Sequence, residues 1–266
     1  MDSKNYLMNV AYDGTDYSGW QIQPNHITVQ EKIEEKLSHL YKTKINITGA
    51  GRTDAGVHAL GMTASFSVPE TPDIPVESLS KALNNLLPNS INISDIHTVN
   101  GGFNARFDAK GKAYTYVIST GNDINPFNYR WSWNLKYSFN ISAMKDALKY
   151  LIGEHDFSAF GSALAKSGKN PIREIYEINI HEFDGYICLT FLGKSFLYKM
   201  VRSLTGALVQ VGTGKLKPED IRDILEKKDR MNLFKTAPAS GLFLMNVFYK
   251  PYEWKSFKLN QLPFHK

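Results

Sequence analysis

A single cysteine, Cys188, is present among 266 residues, which excludes an intrachain disulfide and any zinc cluster built on cysteine. The seven histidines show no His-Glu-x-x-His or comparable ligand spacing, so the expectation is a protein without metal or cofactor. Long apolar runs are also missing. No uncharged stretch approaches the ~18 residues of a membrane span, and Met1 to Val10 carries Asp2 and Lys4 in place of the apolar segment of a signal peptide. A cytoplasmic protein without a membrane segment is expected. Acidic residues are fewer than basic ones, 26 against 31, and the net charge of +5 with a pI near 9.0 favours a polyanionic partner without forming a basic tail. Apolar content of 42% with 21% charge is that of a folded chain, long enough for one large domain or two of about 130 residues.

What the sequence does have is glycine in one telling place. The stretch from Ile45 to Phe66 holds two strand-like runs, Ile45 to Thr48 and Ala59 to Val68, around a turn bearing Gly49, Gly51 and Gly56. Glycine admits positive φ and close backbone approach. A dinucleotide fingerprint would need glycine at Asp54, and a phosphate-binding P-loop would need Lys and then Ser or Thr at Val57 and His58; neither template fits. Two readings stay open: a tight turn in which Asp54 is a local hydrogen-bond acceptor, or a loop shaped around a working carboxylate.

Taken in order, Tyr6 to Tyr12 reads as a buried strand ending at Asp13-Gly14. Thr28 and Glu31 have capping-box spacing, and Val29, Ile33, Leu37, Leu40 and Tyr41 follow on one helical face. After the two strands around Asp54, a second apolar stripe runs from Val76 through Leu79 and Leu83 to Leu87, Pro88 ends it, and Ile91 to Val99 reads as a strand. This β-α-β-β-α-β order is ferredoxin-like. The second half repeats it in weaker form. A strand over Ala113 to Ser119 puts Tyr114, Tyr116 and Ile118 on one face, and a helix from Ser142 is closed by Gly153. Two strands meet at Asp184-Gly185, a dipeptide suited to a type I′ turn, and helices follow at Ser195 to Val211 and from Pro218 before a last strand, Leu242 to Tyr249. The expected fold is α/β (α+β): two ferredoxin-like halves, 1–105 and 106–266, with antiparallel sheets flanked by helices and an active-site cleft between them.

Gly49 to Ala59, Gly-Ala-Gly-Arg-Thr-Asp-Ala-Gly-Val-His-Ala, resembles the signature loop of the tRNA pseudouridine synthase A family. The resemblance continues in Tyr12-Asp13-Gly14 with Gly19-Trp20-Gln21-Ile22-Gln23, in Phe103 to Phe107, Lys112 to Tyr116, Gly153 to Phe157, Pro171-Ile172-Arg173 and Met200-Val201-Arg202. It therefore covers nearly the whole chain. It implies an isomerase that converts uridine to pseudouridine at positions 38, 39 and 40 of the tRNA anticodon stem-loop, works as a homodimer, and needs no cofactor. Two places depart from the commonest family pattern: Met62 stands for Gln and Phe243 for Tyr. Neither falls on a residue given a role in the chemistry.

The resemblance also implies roles. Asp54, the only acid of its loop, matches the nucleophile, attacking the sugar C1′ or removing the C2′ proton; sequence leaves both steps open. Arg202 matches the cation that pairs with that carboxylate, while the helical wheel alone also allows a surface arginine on a mostly buried helix. Tyr114 matches the substrate-contacting tyrosine, for which an aromatic in an alternating strand would otherwise read as core. Arg52 matches the arginine that helps draw the nucleotide out of the stack. Arg173 matches a substrate-binding position next to a cationic segment, Gly161 to Asn170, whose Lys166 and Lys169 read either as phosphate contacts or as solvated charge. His58 reads as a hydrogen-bonded structural residue. The rivals are a non-catalytic RNA-binding protein with two ferredoxin-like halves, which would lack a use for Asp54, and a family member acting on another RNA.

Overall fold

The computed structural model describes residues 3–121, 125–161, 170–230 and 233–265, and the chain divides into two compact units. The first comprises 1–110 with 243–251, the second 111–242 with 252–266. Among the described residues no helix is long and apolar enough to cross a membrane.

The first unit follows the expected order: β1 (Ser3–Tyr12), α1 (Val29–Tyr41), β2 (Ile47–Gly49), β3 (His58–Pro69), α2 (Val76–Leu86) and β4 (Ile91–Thr98). β1 lies between β4 and β3, antiparallel to both, and β2 pairs with β3. Along β1 the alternate residues Tyr6, Met8, Val10 and Tyr12 are all buried, as are Val29, Ile33, Leu37 and Tyr41 of α1 and Leu79 and Leu83 of α2. A period of two thus meets a period near 3.6, and each such side chain contributes about 1.5–3 kcal/mol on burial. Thr28 caps α1 by accepting from the Glu31 amide at 3.4 Å, the half of the expected capping box that orients the first turn.

One strand comes from far along the chain. β10 (Leu242–Phe248) runs parallel to β3 of the first unit, with Phe243 opposite His58 and Leu244 opposite Ala59. Sequence order alone would leave this strand with the half that precedes it.

In the second unit β5 (Gly111–Ser119) is followed by β6 (Trp133–Asn134), α3 (Ile141–Leu148), β7 (Gly153–Asp156), β8 (Ile172–Phe183), β9 (Tyr186–Gly193), α4 (Met200–Gly212) and α5 (Pro218–Lys227). The antiparallel order is β5-β9-β8-β7, with β6 parallel to the edge of β5. β9 is buried on both faces after Tyr186, and the hydroxyl of the buried Thr190 meets Thr115 of β5 at 3.0 Å, so it is not stranded there. Three local expectations are corrected. Gly153 opens a strand at φ 103°, while α3 has already ended at Leu148. α4 begins at Met200, after Lys199 at φ 62°, and not at Ser195. The β8–β9 turn has positive φ only at Gly185, 71°, so it is not type I′, which needs it at Asp184 as well.

Candidate active site

The Asp54 loop is moulded by the segment that follows β1. Trp20 donates its amide to the Thr53 carbonyl at 3.3 Å, Gly56 donates to the Tyr17 carbonyl at 3.3 Å, and the Tyr12 hydroxyl meets Thr53 Oγ1 at 2.8 Å. The approach is close enough to require glycine. A Cβ on Gly14 would fall 2.0 Å from the Val57 carbonyl oxygen, and one on Gly19, at φ 92°, would fall 2.4 Å from that of Thr53. Backbone cannot yield as a side-chain tip can, so any larger residue at either place must displace the loop. Within the loop the Val57 amide closes a turn on the Asp54 carbonyl at 3.1 Å, and Gly56 takes φ 76°. Asp54 and Thr53 are half-buried and Arg52 is exposed.

His58 anchors the far end of the loop, as its structural reading holds. It is 2% exposed, its Nδ1 lies 3.0 Å from Asp13 Oδ1 and 3.1 Å from the Gly14 amide, and its ring stacks on Phe243 at 4.8 Å. Burial opposes the charge on Asp13, yet hydrogen bonds from His58 and Thr15 hold its carboxyl well below the usual carboxylate range. A depressed native pKa gives stability that is complete above the unfolded value of about 4 and is lost as pH falls below it. Asp13→Asn is therefore expected to lower the melting temperature at neutral pH, by a margin that shrinks between about pH 4 and pH 2. Melting curves of both proteins across that range check it; a margin independent of pH would mean that Asp13 stabilises the loop by shape and not by charge.

In the second unit Tyr114 sits on β5 opposite Phe191, 8% exposed and edge-on to Phe196 at 5.2 Å. Tyr116 is fully buried and donates its hydroxyl to the Pro238 carbonyl at 2.8 Å. Burial pushes that phenol above its ordinary pKa, against the lowering effect of the Arg202 charge. Of the two tyrosines on this face, Tyr114 alone keeps some exposure.

Arg202 is set on a helix that is otherwise nearly all core. Of the thirteen residues of α4 only Arg202 and Gln210 are not buried. Arg202 Nε donates to the Ala237 carbonyl at 2.8 Å, and the Ala237 amide returns a bond to the Arg202 carbonyl at 3.1 Å. The segment 235–238 reaches α4 because Gly206 has no side chain: a Cβ there would fall 1.9 Å from the Lys235 carbonyl oxygen. Neither Gly206 nor Ala237 was marked by any motif. A helical glycine one turn from Arg202 and an alanine 35 residues further on look like ordinary helix and loop until the chain crossing them is seen.

Arg173 lies on β8 opposite His155 of β7, half-buried, with Nη1 donating to the carbonyls of Asn170 and Ile172 at 2.9 and 2.6 Å. Lys166 and Lys169 lie outside the described residues. Asp54 and Arg52 are thus brought together by the first unit, and Tyr114, Arg173 and Arg202 belong to the second. Among the described residues no three His, Cys, Asp or Glu side chains are grouped as for a metal ion.

The family model described as "tRNA pseudouridine synthase" matches residues 8–108 and 147–250. The tRNA pseudouridine synthase A of Thermoanaerobacter sp. (strain X514) is 41% identical over 246 residues, covering 92% of this chain and 100% of the relative. That of Brevibacillus brevis is 40% identical, covering 90% and 97%, and that of Chlamydia muridarum 39%, covering 95% of each. The chain belongs to the tRNA pseudouridine synthase family.

Proposed function

We propose that the protein isomerises uridine to pseudouridine in the anticodon stem-loop of tRNA, at positions 38, 39 and 40. The observation that carries this reading is the Asp54 loop, fixed by the close approach of Gly14 and Gly19 and carrying the signature sequence of the family to which the chain belongs. Asp54 acts as the nucleophilic or basic carboxylate, and the resemblance pairs Arg202 with it as the cation. The N1–C1′ bond breaks, the freed uracil turns, C5 bonds to C1′, and the hydrogen of C5 leaves to water while N1 takes up a proton. Tyr114 stacks on the base and serves as acid or base at C5. Arg52, exposed beside Asp54, contacts phosphate and fills the gap that the flipped nucleotide leaves. Recognition of three neighbouring uridines calls for contacts with backbone and shape more than with base edges, in keeping with the net positive charge. The resemblance further supports a cytoplasmic homodimer.

The test uses tRNA tritiated at C5 of uridine. The protein is expected to release tritium to water without added metal or nucleotide, with pseudouridine mapping to positions 38–40. Binding of tRNA without release would favour the RNA-binding module, and release from another RNA alone would redirect the substrate assignment.

A further inference from the structure

Two arginines of the second unit carry their charge into partial burial without an acidic partner. Arg173 spends Nη1 on two backbone carbonyls, and its Nε is buried with no hydrogen-bond partner. Arg230, just beyond α5, lies with its guanidinium 4.6 Å over the Phe234 ring and donates from Nη2 to Thr236 Oγ1 at 3.3 Å. Its Nε is buried and unpartnered as well. Among the described residues no carboxylate is within ion-pair range of either. The contrast with their neighbours is sharp: Arg222 meets Asp223 and Glu226, and Lys228 meets Asp156 at 2.9 Å. Desolvation draws both guanidinium pKa values down from the ordinary value.

The two belong to one end of the unit. The Lys228–Asp156 pair ties the end of α5 to β7, whose Asp156 and His155 face Ile172 and Arg173 in the ladder. Phe157 donates its amide to the Pro171 carbonyl at 3.2 Å, and the rings of Phe157, Phe160 and Phe234 follow at 6.2 and 5.4 Å, up to the ring on which Arg230 lies. Arg230 lies at one end of this row of rings, and Arg173 lies on the strand paired with the one that leads into it. The same segment that braces Arg230, through Phe234 and Thr236, holds Arg202 through Ala237, and Thr236 Oγ1 also meets Ser203 Oγ at 3.3 Å.

We propose that Arg173 and Arg230 form a phosphate-binding patch for the backbone of the RNA substrate, beside Arg202. An ion pair missing inside the protein is supplied by the bound polyanion, and a guanidinium already held flat by a ring and a hydroxyl loses little freedom on taking a phosphate. This rests on the reading of the protein as a tRNA-modifying enzyme.

Arg173→Gln, Arg230→Gln and the double variant are compared with wild type by tRNA binding over a range of salt. Each single change should lower the slope of log affinity against log salt by about 0.7–0.9, and the double by about twice that. Arg230→Lys should recover most of the slope. KM for tRNA should rise in each variant. Unchanged slopes, or a lowered melting temperature without a change of slope, would make these arginines structural. Inorganic phosphate that displaces tRNA better than chloride at equal ionic strength, an effect lost in the double variant, would instead mark a small-anion site. If wild type neither binds tRNA nor releases tritium, the functional reading itself fails; if it does both while the slopes stand, only the patch does.

Discussion

Asp54→Asn is expected to abolish tritium release from C5-labelled tRNA, to the background of the assay, while leaving tRNA affinity within roughly tenfold of wild type, a difference of at most ~1.4 kcal/mol. The substitution keeps the volume and a hydrogen-bonding oxygen but removes the electron-rich carboxylate, so both candidate first steps, attack at C1′ and abstraction at C2′, are lost together. The loop itself should persist. Its bonds to the 12–20 segment run through the backbone and side chain of Thr53, the Gly56 amide and the glycine approaches, and in those contacts the Asp54 carboxylate takes no part. Melting temperature and binding are thus internal controls. Release by the asparagine variant at the wild-type rate would remove Asp54 from the chemistry.

Arg202→Lys is expected to slow modification by about a hundredfold or more with the fold retained, the scale on which misplacement of a catalytic group by about 1 Å acts. Charge is conserved in this change; geometry is not. The Arg202 guanidinium is oriented by Nε on the Ala237 carbonyl, which fixes the plane in which its two Nη groups point. An ammonium has no such division of labour: held by Ala237 it points elsewhere, and released from Ala237 it is one flexible point charge. Single-turnover rates with saturating tRNA separate this effect from binding. Near-normal turnover would show that position 202 needs only a positive charge or none.

Most of the first unit was legible because its periodicities do not compete. Val29, Ile33 and Leu37 mark a helix, Tyr6, Met8 and Val10 a strand, and Pro88 and Asp13-Gly14 bound them. The signature loop was equally plain, yet the sequence showed only its own three glycines. The two that shape it from outside, Gly14 and Gly19, stood in a separate block whose purpose is a backbone contact across more than thirty residues, and no local pattern encodes such a contact. β7 was missed because its four residues, Gly153 to Asp156, are too few and too polar to show alternation. Arg230 gave no signal at all: after the charged end of an amphipathic helix, a further cation reads as solvated surface until Phe234 is seen beneath it. Where the packing partner is near in sequence the pattern announces it, and where it is distant only the folded chain does.

The return of residues 243–251 to the first unit has a consequence for how the protein is made. Domains built from contiguous sequence fold in turn as they leave the ribosome, the N-terminal one first. Here the N-terminal unit lacks its parallel partner for β3, and the ring that stacks on His58, until Phe243 has emerged, after almost all of the second unit has been synthesised. For on the order of ten seconds at ordinary rates of translation, the strand that leads out of the Asp54 loop waits with that part of its edge unpaired, and a chain cut short before Phe243 leaves it so.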